Sequence, residues 1–239
     1  MGNDFAGRAG PGNLPREWEE GDYGRRRYLL RVYNYMAGGL MLTGVIAYVG
    51  AVSGVYVSIA ATPLFWIVLL APLALVALLS WRIERMTETA AQISFWTYAA
   101  LVGLSLSGIV LVYTGESIAR VFVIAAATYA ATSVYGYTTR ADLARFGSFL
   151  FMGLLGIVVA GLVNLFLAST ALQFTVSVIG VLVFTGLTAY DTQRIRNLYV
   201  ADEDDVIAGK KAIIGALALY LDFLNLFLML LRLLGYRRR

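Results

Sequence analysis

The run at 212–231, AIIGALALYLDFLNLFLMLL, constrains this chain more than any other stretch. It is almost continuously apolar, with Asp222 at its middle and Asn225 about one turn further on. A segment of about 20 apolar residues is long enough to cross the hydrocarbon core of a bilayer as a helix. An acid at the centre of such a span is costly unless it meets a partner, water or a cation. Asp222 is therefore the first candidate functional residue; the plainer reading is a protonated packing residue.

The rest of the chain suits a membrane. It is 59% hydrophobic and 14% charged, whereas a soluble domain carries about 25% charged residues. The apolar sequence is interrupted at regular intervals. It reads as seven spans, at 32–57, 64–80, 93–113, 118–137, 146–168, 171–190 and 212–232. The fold class expected is an all-α integral membrane protein, a bundle of seven transmembrane helices. Residues 1–30 read as a polar, disordered tail, 31–235 as the membrane domain and 236–239 as a basic tail. Little remains for a soluble domain. In span 1, Asn34 and Thr43 are the polar members and are expected to hydrogen-bond locally. Ser117 is expected to cap the helix of span 4.

Charge placement sets the topology. Arg25, Arg26, Arg27 and Arg31 precede the first span and put the N-terminus in the cytoplasm. The inward loops then hold Arg82, Arg85, Arg140, Arg145, Arg194, Arg196, Lys210 and Lys211, while Arg120 alone stands near the short outward turns. Arg232 and the arginines at 237–239 break the pattern, since seven crossings place them outside. A re-entrant last segment would return them to the cytoplasm. A full helix is preferred, because the run has no Pro and one Gly, Gly215. The acidic run at 202–205 reads as a solvated loop without EF-hand spacing. Arg82 and Glu84 lie near the membrane edge, as a surface pair or as a gating contact to a core acid. The formal charge of +4 sits in loops and tails, so nucleic acid is not an expected partner.

Asp191 and Asp222 are the acids of the last two spans. A short loop joins those helices, so they are antiparallel and expected to be neighbours. Phe184, Thr188 and Asp191 share one helical face, and Gly215, Asp222 and Met229 share another with Asn225 beside it. Two facing carboxylates repel when both are ionised, so they should titrate as a unit around a shared proton. Loss of that proton leaves negative charge that attracts a cation. The chain has no His and no Cys, so any pH response falls to carboxylates. Ca²⁺ suits carboxylate oxygens, though two acids need water or carbonyls to complete its shell. Depth is the difficulty: Asp222 is central in its span and Asp191 is near the inward end of its own. No tightly bound cofactor is expected. Without His, HExxH, GxSxG or a phosphate loop, an enzyme is not expected either.

Three stretches carry a family likeness: YGYTTRADL at 135–143, VFTGLTAYDTQRI at 183–195 and ALYLDFLNLFL at 218–228. With them the chain resembles the bacterial branch of the Bax inhibitor-1 (TMBIM, UPF0005) family over residues 31–235. The resemblance implies a seven-helix bundle whose C-terminal helix is enclosed by the others, and a pH-sensitive calcium leak. It puts Asp191 and Asp222 on the family's paired aspartates. It also implies an arginine latch on the second span, for which Arg82 is the nearest candidate. A monomeric pore in the bacterial inner membrane is the expectation. Two alternatives remain: a regulatory partner of a membrane protease or quality-control complex, and a proton-coupled transporter.

Overall fold

The computed structural model describes residues 16–201 and 203–238. The expected tail at 1–15, Asp202 of the acidic run and Arg239 lie outside the described residues.

Among the described residues there are eight α-helices: α1 (Arg16–Val52), α2 (Val55–Ala60), α3 (Leu64–Arg82), α4 (Glu88–Val112), α5 (Gly115–Thr138), α6 (Ala144–Leu167), α7 (Thr170–Asn197) and α8 (Asp205–Leu234). Seven of them, all but α2, are long and apolar enough to cross a membrane. The spans expected from hydropathy are all present, with shifted ends. α1 begins at Arg16, inside the stretch read as a tail. Past Pro15 no proline occurs before Pro63, and Arg and Glu are good helix formers. α1 stops at Val52, short of the expected 57, because Gly54 adopts a left-handed backbone (φ 75°) that turns the chain into α2. Thr114, not Ser117, caps α5: its hydroxyl accepts from Ser117 N at 3.3 Å. Ser117 is one turn in and buried, and its Oγ accepts from Tyr236 N at 2.8 Å.

Helix α8 is the axis of the bundle. In its most apolar window 67% of residues are buried, against 11–33% in the other six spans. It packs on α1, α4, α5 and α7, while α3 lies against α4 and α6 against α7. Lipid offers apolar groups no hydrophobic incentive to associate, so close packing and interhelical hydrogen bonds hold such bundles. Both are visible. Gly136 lets α5 press directly on the backbone carbonyl of Ala189 in α7, where any Cβ would collide. Thr43 Oγ1 donates to Ala99 O at 2.9 Å and pairs with Tyr220 OH at 2.7 Å, which ties α1, α4 and α8 together. Its bonding is therefore across helices rather than local. A second chain runs from Tyr33 OH to Ser133 Oγ (2.5 Å) and on to Thr192 Oγ1 (2.9 Å), joining α1, α5 and α7.

The helices divide the ends of the bundle into two faces. One face carries the connections at 83–87, 139–143 and 198–204; it is called the loop face. The other carries the tight turns at 113–114 and 168–169 and the C-terminal tail. α8 runs unbroken from one face to the other, so the re-entrant alternative does not hold. The tail then folds onto the α4–α5 turn. Thr114 N donates to Tyr236 O (3.1 Å) and Arg238 N to Val112 O (2.8 Å), around an antiparallel bridge between Tyr113 and Arg237.

Candidate ion site between α6, α7 and α8

The antiparallel pairing of α7 and α8 is fixed at two glycines. A Cβ on Gly215 would stand 3.2 Å from Ile195 Cγ2, and one on Gly180 would stand 2.8 Å from Met229 Cγ. Between these contacts the register brings Asp222 opposite residues 187–188, about one helical turn from Asp191. This narrows the difference in depth expected from the sequence to about one helical turn. α8 starts at Asp205, seven residues before the apolar run, so its first two turns climb alongside the end of α7 before the run begins.

Asp191 and Asp222 line one cavity of about 530 Å³. The two acids come from neighbouring helices and face the same space. Asp222 is 5% exposed, and its Oδ2 has no hydrogen-bond partner among the described residues. A lone ionised carboxylate in such a place is expensive. A proton on one of the two acids lets that carboxyl act as a donor, for which the other carboxylate in the cavity is a fitting acceptor. Without that proton the site offers two negative charges and a buried, undirected oxygen.

The other expected residues divide. Asn225 lines the cavity, with its Nδ2 donating to Leu221 O at 2.9 Å. Its carbonyl oxygen is the neutral oxygen ligand this site can add. Thr188 is fully buried and donates back to Phe184 O at 2.7 Å, so its hydroxyl is used within its own helix. Phe184, Leu187, Tyr190, Asp191 and Arg194 form the α7 wall instead. Arg82 ends α3 at the loop face, exposed, and no acid pairs with it among the described residues. Glu84 is also exposed there, and its backbone oxygen accepts from Lys210 Nζ at 3.2 Å. Neither lines the cavity. No group of three or more His, Cys, Asp or Glu able to hold a metal occurs among the described residues.

Arg194 is the residue that the sequence reading passed over. Its Nη1 stands 3.9 Å from Asp191 Oδ1, three residues along the same helix, and the side chain is 64% exposed. The i, i+3 spacing was the available signal. Gly147 and Ser148 of α6 complete the wall, and no sequence spacing points to them. At the loop face Arg31 of α1 pairs with Glu88 of α4, which also accepts from Gln92 Nε2 at 3.1 Å.

Comparisons with known proteins agree with this architecture. The family described as "Inhibitor of apoptosis-promoting Bax1" matches residues 25–239. The chain is 49% identical over 218 residues to protein RP147 of Rickettsia prowazekii, covering 91% of this chain and 92% of that one. It is 47% identical over 219 residues to the inner membrane protein YbhL of Escherichia coli K12, covering 90% and 94%. A membrane protein of Streptococcus pyogenes, SpyM3_0260, is 33% identical over 222 residues, covering 91% and 96%.

Proposed function

The chain belongs to the Bax inhibitor-1 family of membrane proteins, and from that premise we propose that it is a pH-sensitive calcium leak gated by the protonation of Asp191 and Asp222. The observation that carries the reading is the pair itself. Two carboxylates from neighbouring helices line one cavity, and a buried oxygen of one lacks any donor. At low pH a proton shared by the pair holds α7 to α8 and cancels the charge that would draw a cation. As pH rises the proton leaves, the two acids repel, and the cavity becomes a cation site. Ca²⁺ takes six to eight oxygen ligands; the pair and Asn225 supply some, and water supplies the others. Gly147 and Ser148 of α6 form the remaining wall of the cavity.

We place the protein in the inner membrane as a multi-pass protein with its N-terminus in the cytoplasm. The likeness to the inner membrane protein YbhL and the arginines near the start of the first span support this. The loop face is then cytoplasmic, and Arg194 stands at the cytoplasmic mouth of the cavity.

Calcium flux into liposomes holding the purified chain tests the reading. Flux should be low at pH 6 and higher at pH 8, and Asp191→Asn and Asp222→Asn should each flatten that difference. Absence of flux at both pH values would remove the leak and favour a regulatory role beside another membrane protein. A proton current obligatorily coupled to a second solute would favour transport.

A further inference from the structure

Helices α1 and α5 both pack on α8, yet a lateral crevice of about 1320 Å³ runs between them. It lies on a different face of α8 from the acid cavity, floored by Phe223 and Phe227. It follows α1 from Arg26 to Tyr48, roughly 33 Å at 1.5 Å per residue, the thickness of a hydrocarbon core. Its walls are exposed apolar side chains such as Met41, Val45 and Val123. No acid among the described residues lines it, and an arginine stands at each end: Arg26 towards the loop face and Arg238 at the tail face.

The two arginines differ. Arg26 belongs to the basic run that opens α1, which topology already accounts for. Arg238 belongs to the group that the topology leaves unexplained. It is also held in place: its backbone N bonds Val112 O at 2.8 Å, and its Nε donates to Tyr113 O at 3.2 Å. Its neighbours are already engaged. Arg120 pairs with Glu116 at 2.9 Å and lies over the Tyr236 ring, and Arg237 lies over the Tyr113 ring. No carboxylate among the described residues pairs with Arg238. Its two terminal nitrogens form a fork suited to a phosphate, and basic pockets between transmembrane helices recognise lipid headgroups in this way.

We propose that the tail-face half of this crevice binds an anionic glycerophospholipid, with its phosphate on Arg238 and one acyl chain laid between α1 and α5. The chain would run along Tyr48, Gly44, Ala119 and Phe122. A Cβ on Gly44 would meet nothing within 4 Å, so the wall there is open rather than packed. The tail strap thus fixes a headgroup site on the leaflet opposite the N-terminal arginines.

Native mass spectrometry of the full chain, released from micelles with equal amounts of phosphatidylglycerol and phosphatidylcholine of matched chains, tests this. The native chain should retain the anionic lipid by about fivefold over the zwitterionic one, the ratio expected of one surface arginine. Arg238→Gln should lose the preference and Arg238→Lys should keep most of it. Gly44→Phe should retain neither lipid, since the added ring fills the chain path. Equal retention of the two lipids by the native chain would overturn the site. So would an unchanged preference in Arg238→Gln, or loss of preference in Arg26→Gln alone. The Arg238 comparison stands even if Gly44→Phe does not fold.

Discussion

Arg194 Nη1 stands 3.9 Å from Asp191 Oδ1, at the loop-face mouth of the cavity that Asp191 shares with Asp222. The cation is on the same helix as the acid and mostly exposed, so the contact is long and wet. It is still the nearest positive charge to the pair. A cation beside a carboxylate favours the ionised form. Removing it with Arg194→Gln should make the pair hold its proton to higher pH. The midpoint of calcium flux against pH should therefore move upward, and only modestly, because the Arg194 side chain is largely exposed. Arg194→Lys should leave it nearly unchanged. A pH series of liposome flux reads the midpoint directly, and a downward move would show that Arg194 acts on the ion rather than on the acids.

Asp222 illustrates how function and stability can separate. Its Oδ2 has no donor, so neutralising the side chain removes no hydrogen bond at that atom. When the pair is deprotonated, removing one of two like charges from the same cavity relieves their repulsion and the cost of burying the charge. Asp222→Leu should therefore keep or raise the melting temperature in detergent while abolishing the pH dependence of flux. Intrinsic tryptophan fluorescence during heating checks the first part, using the chain's own 4 Trp residues. A large loss of stability would mean that Asp222 is held by a partner that the cavity does not reveal.

Two glycines should respond oppositely to the same change. Gly136 faces the Ala189 carbonyl across the α5–α7 contact, so Gly136→Ala must push the helices apart. Overpacking of this kind costs about 1–3 kcal/mol. Gly44 meets open space, so Gly44→Ala should be neutral or stabilising by up to about 1 kcal/mol, the usual gain from replacing a mid-helix glycine. Unfolding in mixed micelles ranks the two variants against the native chain.

The spans were legible because a bilayer acts locally: about 20 apolar residues in a row must become a helix wherever the rest of the chain goes. Asp222 was legible for the same reason, as an acid where no acid is cheap. What the sequence withheld was register. Nothing near Asp191 shows that Gly215 meets Ile195 and Gly180 meets Met229, and those contacts decide the depth of both acids. The same holds for Thr43, whose partner Tyr220 lies 177 residues away. Thr188 shares the helical face of Asp191 by spacing, but its hydroxyl turned back to Phe184 O, a choice that periodicity does not encode. Arg82 was a latch candidate through the family resemblance; its place in the charged loop pointed to the membrane edge, and the α3 end carries it to the exposed loop face. The strap of the tail on the α4–α5 turn was beyond reach as well, since it joins residues over 100 positions apart through backbone atoms that no side-chain pattern marks.

The odd number of crossings carries its own test. α8 passes unbroken through the bundle, and the tail is bonded to the turn at 113–114, so the two ends of the chain belong on opposite sides of the membrane. The native sequence has no cysteine, which makes single-cysteine labelling clean. Tyr23 and Tyr236 are 77% and 65% exposed, one near the start of α1 and the other in the tail. In intact cells a membrane-impermeant maleimide should label Tyr236→Cys and not Tyr23→Cys, and inverted membrane vesicles should reverse the result. This expectation rests on the proposed orientation, in which the arginines at 25–27 keep the start of the first span on the cytoplasmic side. Labelling of both positions from one side would require the last helix to turn back, which its unbroken run from Asp205 to Leu234 does not allow. Labelling of Tyr23→Cys alone in intact cells would keep the fold and invert it in the membrane, and Arg238 would then face the cytoplasmic leaflet.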